Sequence, residues 1–159
     1  MDYLRRRGEE AERKYLSFSA TGFRCIGCKQ QMRGNSMPWT YSQSTGTVTN
    51  PEGRNVGSGY SGSGVGLNNP SMQTIENVGP IPQGSYTIGR AFTDPHRGPE
   101  AMRLTPNAGT RTPGRDGGFM IHADNRQHNN TASEGCIILA PGIRDQIGSS
   151  LDRTLNVVP

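Results

Sequence analysis

A chain of 159 residues is one domain's worth, since a single hydrophobic core serves roughly 100–200 residues. Its 22 glycines and 11 prolines, against few Ala, Leu, Glu and Lys, exclude a helical bundle. The formal charge of +4 belongs wholly to residues 1–36, which hold eight basic and four acidic side chains; residues 37–159 hold nine of each and lack the positive face that nucleic acid requires.

Residues 1–36 read as a polar, basic leader, expected to be flexible, in which Gly8, Gly22, Gly27 and Gly34 interrupt any amphipathic period. Arg5, Arg6 and Arg7 are followed by Gly-Glu-Glu rather than by the apolar stretch of a signal peptide. The longest apolar run, Cys136 to Ala140, falls far short of the ~18 residues of a membrane span. The expectation is a chain made in the cytoplasm without stable membrane insertion. Cys25 and Cys28 form a lone CxxC, which is either an incidental pair or a redox or metal site. Zinc needs about four ligands and this segment offers two, so no metal or cofactor is expected.

From Met37 the texture changes to short strand-like runs divided by turns. Trp39 to Ser44 alternates large and small residues, Thr45 to Thr49 continues after a turn, and Asn50-Pro-Glu-Gly is a turn signal, which together predict a hairpin. The glycine-rich stretch from Gly57 to Gly66 has two readings, a mobile surface loop or a set of positions needing positive φ or close backbone approach. A strand is predicted near Tyr86 and Ile88, two more over Met102–Thr105 and Gly118–His122, and a buried central one over Cys136–Ala140. A helical turn or two is expected over Ile143–Ile147, and Thr154–Val158 should close the sheet. The fold class is mainly β, a sandwich or barrel-like domain with one or two short helices.

The pattern that carries chemistry is His122 at the end of one strand and Ser133-Glu-Gly-Cys136 at the start of the next. A cysteine is a strong nucleophile only as thiolate, so it needs a base or a positive environment, and His122 is a base of the right kind. Gly135 permits a sharp turn that aims amides near Cys136 at a developing oxyanion, and Ser133 is suited to orienting the turn or the imidazole. The same residues admit a structural reading, a buried inert thiol and a satisfied strand-end histidine. His96 and His128 read as surface residues.

In their order along the chain, Trp39-Thr-Tyr-Ser-Gln-Ser-Thr-Gly, Tyr60-Ser-Gly, Asn68-Asn-Pro, Gly79 to Ile88, Phe119-Met-Ile-His122 and Ala132 to Leu139 resemble the L,D-transpeptidase-related effectors of type VI secretion. Those effectors are distant relatives of the YkuD-type L,D-transpeptidase domain. The resemblance spans residues 37–159 and implies a YkuD-like catalytic domain there. It implies a cysteine L,D-carboxypeptidase or L,D-transpeptidase that removes the terminal D-Ala of peptidoglycan tetrapeptide stems or exchanges it for D-amino acids. Cys136 would be the nucleophile and His122 the base, with Ser133 and Gly135 matching the motif's serine and glycine. A type VI route to the periplasm of a target bacterium and a cognate periplasmic immunity protein are implied as well.

Two positions depart from the housekeeping pattern. Glu134 stands where Ser-His-Gly-Cys has histidine, and Ile138 stands where an arginine follows the cysteine by two residues. Arg115, Arg126 and Tyr60 are therefore the candidate substrate contacts. A reading from another class is a non-catalytic peptidoglycan-binding or secreted interaction module with a structural His/Cys pair.

Overall fold

The computed structural model describes residues 37–115 and 117–159; the expectations for residues 1–36, Cys25 and Cys28 among them, lie outside the described residues. Among the described residues, ten strands and one α-helix follow in chain order. They are β1 (Trp39–Ser42), β2 (Thr47–Thr49), β3 (Asn55–Ser58), β4 (Tyr60–Ser61), β5 (Gly84–Ile88), β6 (Phe92–Asp94), β7 (Gly98–Pro106), β8 (Met120–His122), β9 (Ile137–Ile138), α1 (Pro141–Ser149) and β10 (Thr154–Val158). The sheet runs β3-β2-β1-β10-β5-β7-β8-β9-β4, with β6 added to β7. The domain is mainly β, as the sequence predicts, and α1 covers and extends the expected turn at Ile143–Ile147.

The two ends of that path, β3 and β4, are consecutive in the chain with only Gly59 between them, so the sheet curls into a nearly closed barrel. Gly59 is required there by contact: a Cβ at this position would lie 1.9 Å from the Ile138 carbonyl oxygen. The glycine-rich stretch is thus two strands and a short 3-10 turn at Gly64–Gly66, and the close-approach reading of its glycines replaces the mobile-loop reading. Sequence alternation missed β6, whose three residues are too few to show a period.

Most pairings are antiparallel, but β1 pairs β10 and β8 pairs β9 in parallel. The final strand lies between β1 and β5 rather than at a seam. Trp39, Tyr41, Tyr86, Ile121, Ile137, Ile147 and Leu155 meet in the main core. Each such aliphatic side chain contributes about 1.5–3 kcal/mol by leaving water. Helix α1 packs Ile143 and Ile147, one turn apart, onto this core and lies against β7. No helix among the described residues is long and apolar enough to cross a membrane.

β8 and β9 are buried on both faces, which explains their unbroken apolar sequence. Ile121 and Ile137 point into the main core, whereas Met120, Cys136 and Ile138 join Tyr60 and Ala101 in a second cluster on the other face. The regular strand at Cys136–Ala140 is shorter than predicted, covering Ile137–Ile138 only.

Candidate active site

The parallel register sets Ile121 opposite Ile137 and His122 opposite Ile138. Successive side chains alternate faces, so His122 lies on the same face as Ile138 and therefore as Cys136, two residues earlier. Imidazole and thiol are diagonal neighbours across one strand pair. Both are buried, His122 at 3% and Cys136 at 8% exposure.

The imidazole is fixed by its own backbone. Nδ1 lies 2.7 Å from the Ala123 carbonyl oxygen, an atom that can only accept, so Nδ1 carries the hydrogen and Nε2 carries the lone pair. Nε2 is buried without a hydrogen-bond partner. A buried, unpaired acceptor normally costs stability, and it is the atom a base must keep free. The thiol makes no hydrogen bond to it at rest; Sγ sits 4.0 Å from the Gly118 carbonyl.

Burial governs both titrations. It pushes the Cys136 thiol above its ordinary value, opposed by a Met120 backbone contact and by the charges of Arg97 and Arg115. It pushes His122 below its ordinary value, opposed chiefly by the Ala123 carbonyl, while Arg97 and Arg144 add to the depression. At neutral pH the resting pair is thiol and neutral imidazole. Glu134 is exposed, and its charge is a minor influence on the thiol beside burial.

Ser133 organises the turn rather than the imidazole. Its Oγ donates to the Cys136 carbonyl at 2.6 Å and accepts from the Gly62 and Gly135 amides at 2.8 and 3.1 Å. One donor and two lone pairs are all used. The Gly135 amide is thereby committed to Ser133 and is not free for an oxyanion. Gly135 itself has φ +115°, a left-handed conformation that side chains rarely adopt.

Of the candidate substrate contacts, Arg115 is held inside the fold. Its guanidinium donates to the carbonyls of Pro80, Gly79 and Glu134 at 2.8, 3.0 and 3.1 Å and lies over the Phe119 ring. Tyr60 donates to Asp124 at 2.6 Å and accepts from the Ala132 amide, so it ties the loop after His122 to β4. Burial and the Asp124 carboxylate push its phenol upward. Arg126 is exposed in that loop.

Sequence reasoning missed Arg97 and Arg144. Arg97 sits in the β6–β7 turn, where Asp94 accepts the amides of His96 and Arg97, and its Nη1 contacts Met120 Sδ at 3.1 Å. It acts electrostatically on both His122 and Cys136. The missing signal was β6 itself, without which the turn has no place in the fold. Arg144 has helical spacing from Ile143 and Ile147 and looks like a surface residue, yet it is only 3% exposed.

Past the C-terminal ends of β8 and β9 opens a cleft of about 340 Å³ lined by Tyr60, Ala123, Asp124, Leu139, Pro141 and Arg144 among others; it reaches the residue after His122, while neither His122 nor Cys136 lines it. The family model of the Tlde1 domain matches residues 55–157, from β3 through most of β10, with His122, Ser133, Gly135 and Cys136 inside the matched span. No curated protein matches the chain.

Proposed function

The chain belongs to the Tlde1 domain family, a type VI secretion effector domain, and on that premise we propose that it is a cysteine L,D-carboxypeptidase or L,D-transpeptidase acting on peptidoglycan tetrapeptide stems. The observation that carries this reading is the free, buried Nε2 of His122 on the same strand-pair face as the Cys136 thiol.

The Sγ proton passes to Nε2, and the thiolate attacks the carbonyl carbon between the L-centre of meso-diaminopimelate and D-Ala. The C–N bond breaks as the imidazolium protonates the departing amine, so D-Ala leaves and a thioester remains. Water, or the amine of a D-amino acid, then attacks the thioester carbon while Nε2 takes its proton. The C–S bond breaks and the thiol is restored. Ser133 and Gly135 shape the turn that presents Sγ and do not touch the reacting atoms. No metal or cofactor is invoked.

Residues 37–159 carry this chemistry in our reading, with residues 1–36 contributing neither core nor catalysis. A chain beginning at Met37 is expected to keep its melting temperature and activity. As a secretion effector the protein travels with type VI components, acts in the target periplasm and is neutralised in the producer by a cognate immunity protein.

Mass spectrometry of purified disaccharide tetrapeptides incubated with the protein tests the reaction. Loss of D-Ala, or its replacement by an added D-amino acid, is expected with the wild type and absent with Cys136→Ala and His122→Ala. Full activity in either variant refutes the assignment. Slow alkylation of Cys136 together with binding but no turnover would favour the interaction module.

A further inference from the structure

The cleft past the end of β8 has opposite charges on its walls. Arg144 contributes a guanidinium that is almost wholly buried, with Nε donating to the Leu139 carbonyl and Nη1 to the Pro99 carbonyl. Its Nη2 makes no hydrogen bond among the described residues, and no carboxylate there lies within ion-pair distance of it. Asp145 and Glu100 influence it only from further away, and desolvation dominates its environment. A buried cation without a counter-ion is costly, and a planar fork is suited to pairing a carboxylate.

Asp124 lies in the same lining. Its Oδ1 accepts from Tyr60 and from the Asn125 amide, while Oδ2 faces only the exposed ring of His128 at 3.5 Å. One carboxylate oxygen is therefore held by two hydrogen bonds, and the other has only the exposed His128 ring beside it. The volume of about 340 Å³ is at the small end of the roughly 300–1,000 Å³ of ligand pockets, room for a head group rather than a whole chain.

We propose that this cleft binds a zwitterionic α-amino acid head group, its carboxylate on Arg144 and its ammonium on Asp124. The inference rests on the peptidoglycan reading above for the identity of that group: in a tetrapeptide stem the D-centre of meso-diaminopimelate is an unblocked amino acid at the end of a short alkyl arm. The arm starts at the L-centre whose carbonyl is attacked, and Ala123 in the cleft wall directly follows His122. In this proposal the arm's end is held past the end of β8, one residue beyond His122, and the stem runs from there toward Cys136. Arg144 thereby takes on substrate anchoring that Ile138 is unable to supply.

The test uses full-length Cys136→Ala protein, which binds without turnover, and three probes: the disaccharide tetrapeptide, the same compound amidated at the D-centre carboxylate, and the same compound acetylated at the D-centre amine. Amide NMR shifts at Ala123, Asp124 and Leu139 report occupancy of the cleft. The unmodified probe should shift them, and each derivative should bind about tenfold or more weakly, as expected for losing one charge-assisted contact. Arg144→Gln, which removes the charge and keeps an amide donor for the carbonyls, should lose the preference for free carboxylate over amide. Asp124→Asn, which keeps the Tyr60 acceptor, should lose the preference for free amine over acetamide. Equal binding of all three probes, or shifts confined to other parts of the surface, overturns the proposal. D-Ala release by the wild type is assayed separately, so preserved head-group selectivity without release would sink the reaction and leave this site standing.

Discussion

The guanidinium of Arg115 occupies the space that a side chain at Gly135 would need: a Cβ built there falls 2.7, 2.8 and 2.9 Å from its three terminal heavy atoms. The turn before Cys136 and the buried arginine are one packed unit. Gly135→Ala combines an unfavourable φ of +115° with displacement of a guanidinium bonded to three carbonyls. We expect a loss of about 2–4 kcal/mol, measured by denaturant unfolding. Arg115→Lys should lose a similar amount, since one ammonium cannot reproduce the fork. A neutral outcome for both would show that the turn is not locked in this way.

A second expectation concerns acid. Burial holds His122 below its ordinary value of 6.5, so below that pH the unfolded chain takes up a proton that the folded chain still refuses. The unfolded state then binds more protons, and stability falls as pH drops through this window toward the folded value. His122→Gln removes that contribution. The melting temperature of the wild type should decline on acidification below about pH 6.5 more steeply than that of the variant. Parallel curves would contradict the buried neutral imidazole.

Arg97 offers a third. It is exposed, yet its charge favours the thiolate of Cys136 and opposes protonation of His122. Arg97→Gln should slow iodoacetamide alkylation at pH 7.5 by about two- to five-fold, and added salt should shrink the difference. An unchanged rate at low salt would remove Arg97 from the site.

How much of this was legible beforehand follows from the kind of signal each residue leaves. Tyr86, Ile88 and the Cys136–Leu139 run are apolar in strand periods, so burial could be read from the sequence. His122 and Cys136 stand out as a candidate pair because their residue types and strand-end positions restrict the chemistry, and the structure sets both on one face of the β8–β9 pair. The roles of Arg115 and Arg144 were not legible, because an arginine inside a fold is spelled the same as one in water; only the carbonyls of Gly79, Pro80, Leu139 and Pro99 distinguish them. β9 was overestimated for a related reason: a continuous apolar run reports burial on both faces, not the length of regular pairing.

The fourth expectation joins chemistry to place. Stem peptides lie outside the inner membrane, so expression in the cytoplasm should be nearly harmless, whereas fusion to a periplasmic signal peptide should yield swollen or misdivided cells. Removing tetrapeptide donors weakens cross-linking, and Cys136→Ala should abolish the effect. Growth curves and microscopy decide; equal lethality of the cytoplasmic form, or of the Ala variant in the periplasm, would point to another target.

The insertion of β10 between β1 and β5 bears on how the domain is made. Trp39 stands opposite Leu155, so β1 and β10, far apart in the chain, are sheet neighbours. Contacts this distant in sequence are entropically slow to form, placing the domain among folders on the millisecond-to-second scale. During translation, Cys136 leaves the ribosome before β10, the strand that joins β1 to β5. A nascent chain therefore carries Cys136 for some time without a finished barrel to bury it, and the thiol is more open to oxidation then than in the folded domain.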